Sequence, residues 1–250
     1  MIIIKTPEEI EKMRAAGKIL AGVHKRLKEI IKPGITTKYI DEVADEIIEA
    51  AGATAEQKGY KGYPFATCTS VNDEICHGFP REDIVLKEGD LITVDMVVNL
   101  DGYLADSAWS YIVGEASQEV IDLYNTTKEC LYKGIEVAVI GNRIGDIGRA
   151  IEEVAKGAGY SVVREFVGHG IGTNIHEDPQ VLHYRTPVRG PRITEGMVFT
   201  IEPMINAGHW KSKLDDNGWT ARTIDGSMSC QFEHTIAITK DGPIILTDQD

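Results

Sequence analysis

Shifted against itself by 107 residues, the chain superposes in two separate places. Ile40, Ala44, Ile47, Ala51 and Gly52 fall on Ile147, Ile151, Val154, Ala158 and Gly159. The block KEGDLITVD ending at Asp95 falls on TEGMVFTIE ending at Glu202, with Glu88-Gly89 on Glu195-Gly196 and Thr93 on Thr200. One match between amphipathic helices carries little weight, because such helices share a pattern. A second match at the same offset, setting acid on acid, predicts two related α+β halves near 1–115 and 116–250 within one domain spanning 1–250. Sheets from the two halves would pool Asp95 and Glu202 in a central cleft, the usual place for a site.

The stretch Leu91–Asp106, LITVDMVVNLDGYLAD, reads as an apolar strand, a turn and a return strand. An Asp-Gly pair between β-formers is a strong hairpin signal. With Asp101-Gly102 as a two-residue loop, Leu100 faces Tyr103 and Val97 faces Asp106. Side chains alternate along a strand, so Asp95 and Asp106 become diagonal neighbours, about 7–8 Å apart at the backbone. A slip of one residue would separate them onto opposite faces. Two acids converging on one face repel unless a proton or a cation lies between them. The alternative is a pair of solvated strand acids.

The chain is long enough for a full core. Its net charge of −13 comes from 39 acids against 26 bases, with no run of Lys and Arg, which argues against a nucleic-acid surface. Cys68, Cys76, Cys130 and Cys230 are too scattered for a disulfide scaffold or a C-x-x-C zinc site and fit a reducing compartment. The start, MIIIKTPEEI, is too short an apolar run for a signal peptide, and no apolar stretch approaches the roughly 20 residues that span a bilayer. The expectation is a cytoplasmic protein without membrane contact.

Thr6, Pro7 and Glu9 make a capping box with proline at the first helical position, and Ile10, Met13, Gly17, Leu20, His24, Leu27 and Ile31 recur at helical spacing before Lys32-Pro33-Gly34. His24 on that stripe reads as a packed histidine. A second helix starts at Thr37 with Ile40, Val43, Ala44, Ile47, Ile48 and Ala51 buried and Gly52 closing it. A Gly- and Tyr-rich loop, Gly59–Pro64, a strand at Cys68–Val71 and the segment NDEICHGFP carrying His77 follow. A third helix is expected over roughly Ser117–Val139 and a fourth over Gly145–Gly157.

The second half holds the remaining candidates. Val167–His176, VGHGIGTNIH, sets His169 and His176 in a glycine-rich segment where backbone can approach a ligand. The order is not that of a nucleotide loop. A structural role is the competing reading for either histidine. Glu202 ends the apolar strand Met197–Ile201. In QFEHTI, 231–236, alternation lets only one of Glu233 and His234 face the cleft, and His234 would share its face with Phe232 and Ile236, which favours Glu233. Asp95, Asp106, His169, Glu202 and Glu233 together are four carboxylates and one imidazole. Unpaired in one cleft they would be prohibitively unstable. Two divalent cations would balance them, and an oxygen-rich set without thiolate suits Mn, Fe, Co or Zn. Such a pair can activate a water and polarise a carbonyl.

The ordered residues His77, Asp95, Asp106, His169, His176, Glu202 and Glu233, with HGxG around His169, EPM at 202–204 and FEHT at 232–235, resemble type I methionine aminopeptidase over essentially the whole chain. The resemblance implies a pita-bread fold: a central antiparallel sheet, outer helices and two pseudo-twofold halves. It implies removal of the N-terminal methionine of nascent polypeptides with a small second residue. Asp106 and Glu233 would bridge two metal ions, Asp95 would hold one, and His169 and Glu202 the other. His77 and His176 would lie outside the metal shell on the scissile amide and its oxyanion, with Glu202 as proton shuttle. Tyr60, Tyr63, Cys68, Trp219 and Ile175 would surround the methionine side chain. Gln57 stands where well-known members carry a cysteine, Ile175 where many carry an aromatic residue, and Ala105 where glycine is common. A monomer touching the ribosome transiently through its own surface is expected. The rivals are an Xaa-Pro-type peptidase of the same fold, which usually carries a further N-terminal domain, and a non-catalytic peptide-binding relative.

Overall fold

The capping signal at Thr6 does what its chemistry requires. In the computed structural model, which describes residues Met1–Asp250, the Glu9 N–H donates to the Thr6 hydroxyl at 3.2 Å and the Thr6 N–H to the Glu9 carboxylate at 2.8 Å. They start α1, Pro7–Ile30, with Met13, Leu20, Val23, His24 and Leu27 on its buried face. Thr36 caps α2, Thr37–Ala50, by accepting the Tyr39 N–H at 3.1 Å. Its buried face is Thr37, Ile40, Asp41, Ala44 and Ile48; Val43 and Ile47 are only half-buried and Ala51 is exposed, because the helix turns that edge outward. Helices α3, Gln118–Val137, and α4, Ile144–Gly157, start and stop within two residues of their expected bounds.

The strands of the first half are β1, Thr54–Ala55, β2, Cys68–Val71, β3, Glu74–Cys76, β4, Leu91–Leu100, and β5, Tyr103–Ile112. Those of the second are β6, Ser161–Val162, β7, Gly168–Gly170, β8, Glu177–Val181, β9, Val198–Ile201, and β10, Met204–Asn206. They continue with β11, Ser212–Leu214, β12, Ala221–Thr223, β13, Ser229–Gln231, β14, His234–Thr239, and β15, Gly242–Ile245. Every pairing between these strands is antiparallel, and together they form four hydrogen-bonded sheets. The order β1-β4-β2, with β5 on β4, makes the first-half sheet, and β15-β14-β9-β7-β8 the second-half one. Two short sheets, β13-β10-β6 and β11-β12-β3, complete the set.

The β4–β5 hairpin has the register that Asp101-Gly102 dictates, Leu100 opposite Tyr103 and Val97 opposite Asp106. Repeat-related glycines share a left-handed conformation: Gly52 and Gly159 at φ 75° and 84°, Gly89 and Gly196 at 87° and 86°. One core packs α1 and α2 on β4 through Leu20, Leu27, Ile40, Ile48 and Val94. A second packs α3 and α4 on β9 and β14 through Leu131, Ile151, Phe199 and Ile236. The helices are therefore outside and the strands inside. The sheets meet at a seam, where the Glu233 N–H donates to the Ala108 carbonyl at 2.8 Å. No helix is long and apolar enough to cross a membrane.

Candidate metal centre

The seam carries the chemistry. Asp95 on β4 and Asp106 on β5 share one face of the hairpin because their register is fixed. Glu233 sits just before β14 and faces them, while His234 turns the other way to pack on Trp109 and to bond Thr247 at 2.8 Å. Thr235 locks the arrangement: its hydroxyl accepts the Asp106 N–H at 3.0 Å and donates to the Asp106 carbonyl at 2.7 Å. His169 comes from β7 and Glu202 from the end of β9. Thr200, two residues before Glu202 and therefore on its face, accepts the His169 N–H at 3.0 Å and donates to Glu202 Oε1 at 2.7 Å.

Ligand atoms of Asp106, His169 and Glu233 lie within 4.8 Å of one another, and all three residues are buried. His169 Nε2 is 3.5 Å from Asp106 Oδ2 and 3.5 Å from Glu202 Oε1. His169 Nδ1 donates to the Gly170 carbonyl at 2.9 Å, which leaves Nε2 facing the cavity. The glycines around it have a different reason from the expected one. A Cβ on Gly168 would stand 2.5 Å from the Thr200 carbonyl oxygen, and one on Gly170 2.1 Å from that of Asp178. They admit neighbouring backbone, not a ligand.

Burial and mutual repulsion raise three of these carboxyls. Burial, followed by the charges of Asp106 and Glu202, raises Asp95 well above the usual carboxylate range. Burial and the same neighbours raise Glu233 in the same way, and burial lifts Glu202 to about 7. For His169 burial pulls downward, but the Asp106 hydrogen bond and the Glu202 and Asp106 charges outweigh it and raise the imidazole to about 9. Asp106 Oδ1 and both carboxylate oxygens of Glu233 are buried with no hydrogen-bond partner. Natural cores rarely tolerate such orphans. Anionic oxygens and one imidazole nitrogen facing one another fit a divalent cation.

The other sequence candidates surround a cavity of about 270 Å³ above these acids. Tyr60 bonds His176 Nδ1 at 2.9 Å, and the His176 ring is 4.4 Å from that of His169. Burial, then the His169 charge, lowers His176 to about 4, and burial lowers His77, so both imidazoles are neutral at pH 7. His77 has φ 57°, a costly conformation for a residue with a Cβ, and its ring packs edge-on against Phe166 at 5.4 Å. Tyr63 and Trp219 meet edge-to-face at 5.1 Å, and Cys68 and Ile175 line the same cavity. Gln57 donates to the Cys68 sulfur at 3.5 Å. Sequence reasoning missed Thr200, Thr235, His183, which accepts the Glu202 N–H at 3.1 Å, and Met204 in the cavity wall. Alternation from Glu202 would have found Thr200, and the T of FEHT marks Thr235. Nothing local marks His183.

The model of metallopeptidase family M24 matches residues 11–240. Methionine aminopeptidase 1 of Bacillus subtilis is 49% identical over 247 residues, 99% of each chain. The chain belongs to metallopeptidase family M24. This M24 chain is also 42% identical to the methionine aminopeptidase of Escherichia coli K12, over 98% of its own length and 94% of the relative's. It superposes on the crystal structure of methionine aminopeptidase from Rickettsia prowazekii with a TM-score of 0.97, 42% identity, and coverage of 99% and 100%. Its fold is therefore the pita-bread fold, which prolidase from Pyrococcus furiosus shares at a TM-score of 0.80 and 24% identity, with 66% of that longer chain covered. As an M24 metallopeptidase the chain uses divalent metal.

Proposed function

We infer that this protein is a methionine aminopeptidase that removes the N-terminal methionine of polypeptides with a small second residue. One observation carries the reading: orphaned, buried Asp106 and Glu233 oxygens beside His169, at the floor of a cavity walled by Tyr63, Cys68 and Trp219. Asp95, Asp106, His169, Glu202 and Glu233 would hold two divalent ions, Asp106, His169 and Glu233 being the closest group. Mn, Fe, Co and Zn all suit this donor set. When bound, such ions offset the acids, polarise the scissile carbonyl and acidify the attacking water.

The chain's own residues supply the rest. Glu202, held by Thr200 at 2.7 Å, can take the water's proton and pass it to the departing amine. His176, with Nδ1 engaged by Tyr60, leaves Nε2 for the oxygen that gains charge at the carbonyl. His77, held by its neighbours Phe166 and Trp219, faces the scissile amide from the other side. The polarisable wall of Cys68 and Met204 with the Tyr63 and Trp219 rings suits a thioether.

The test is release of methionine from Met-Ala-Ser by metal-stripped protein reloaded with Mn, Fe, Co or Zn in turn, beside an Ala-Pro peptide. Methionine release without Ala-Pro cleavage is expected, and Asp106→Asn or Glu233→Gln should lower it by more than about 100-fold. Cleavage of Ala-Pro alone would assign the Xaa-Pro class. Tight metal binding without turnover would leave a peptide-binding relative.

A further inference from the structure

Lys61 is the one Lys or Arg among the side chains that line the metal cavity. It is exposed at the mouth, in the loop that carries Tyr60. Its neighbour Lys58 is occupied by Asp45 at 2.6 Å. Lys61 has no carboxylate within ion-pairing range; its ammonium rests over the Tyr60 ring, 5.2 Å from the centroid. Tyr60 in turn holds His176 at 2.9 Å, so this free cation stands beside the residue assigned to the scissile carbonyl. The backbone adds a second sign. Gly59, Lys61 and Gly62 have φ of 89°, 49° and 85°. Two of these left-handed positions are glycine, the residue that adopts them without steric cost, and the third carries a lysine.

A peptide with its methionine side chain against the wall of Tyr63 and Trp219 leaves the cavity past this mouth. Its backbone advances about 3.3 Å per residue in extended form, and a lysine side chain reaches the third or fourth position. We propose that Lys61 reads substrate charge just beyond the second residue, favouring chains with Asp or Glu at position three or four over chains with Lys or Arg. The inference rests on the aminopeptidase reading and deepens it. An ion pair formed on binding and kept through the reaction lowers KM and leaves kcat nearly alone.

The experiment uses the metal-loaded enzyme on Met-Ala-Glu-Gly, Met-Ala-Gln-Gly and Met-Ala-Lys-Gly, and on the same series with the charge at position four. Comparing peptides within each variant cancels any general loss of activity. The unaltered enzyme should prefer Glu to Lys by about three- to fivefold in kcat/KM at low salt, the scale of an exposed ion pair, carried by KM. The preference should shrink toward one at about 1 M salt, where the Debye length is about 3 Å. Lys61→Arg should keep it, Lys61→Gln should flatten it, and Lys61→Glu should invert it. Equal turnover of Glu and Lys peptides by the unaltered enzyme, or one preference shared by all three variants, would overturn the proposal while leaving the aminopeptidase reading intact. No turnover of any methionyl peptide would overturn both.

Discussion

His169 shows how much one side chain depends on a single backbone acceptor. Its Nδ1–H is spent on the Gly170 carbonyl, so Nε2 points at Asp106 and Glu202 without a choice of tautomer. His77 and His176 are the opposite case: burial keeps both neutral, and neither belongs to the close set of Asp106, His169 and Glu233. Their removal should therefore separate catalysis from metal binding. His77→Ala is expected to lower kcat by about 100-fold, the scale of one hydrogen bond lost at the reacting amide, while metal content by atomic absorption stays unchanged. If that variant instead purifies without metal, His77 is a ligand and the assignment is wrong. Alternation placed Glu233, not His234, in the cleft, because period-two reasoning holds where a strand is buried on both sides. His183 escaped it: the residue acts on a backbone N–H far along the chain, which no local pattern encodes.

Among the elements, those with complete local chemistry were legible. The capping box at Thr6, the Asp-Gly turn and the helical stripes each specify their own start, stop or register. Strands β3, β10, β11, β12 and β13 were not, since three residues give too few alternations to read. Helix α1 shows what a stripe cannot reveal. Gly17 looked like an ordinary stripe position, yet a Cβ there would lie 1.9 Å from the Leu246 carbonyl oxygen. Leu246 donates its N–H to Thr235 at 2.9 Å, and Thr235 holds Asp106 through both its backbone groups. Gly17→Ala, which in an open helix would stabilise by about 0.5–1 kcal/mol, should here destabilise by about 1–3 kcal/mol through overpacking. Urea unfolding at unchanged m-value checks the first half of this expectation, and a weaker Mn affinity measured by calorimetry checks the second. A more stable Gly17→Ala protein would refute it.

For the whole molecule, the repeat was the informative pattern, because it told which two distant acids would meet. Asp95 and Asp106 come from one half, His169, Glu202 and Glu233 from the other. A cation among them binds the folded chain far better than the unfolded one, so stability should gain about 2.7 kcal/mol at a hundredfold excess of Mn over Kd, and Tm should rise with Mn concentration. Asp106→Asn should flatten that dependence in differential scanning calorimetry; a Tm indifferent to Mn in the unaltered protein would contradict the assigned donor set.

The stitching of Ala108 to Glu233, and of Asp106 to Thr235, has a further meaning for what can be cut. Riveted beneath the reacting groups, the two lobes cannot swing apart like jaws around the middle of a polypeptide. A polypeptide must therefore come to the acids through the one fixed opening that the cavity of Tyr60, Tyr63, His77, His176 and Trp219 leaves it.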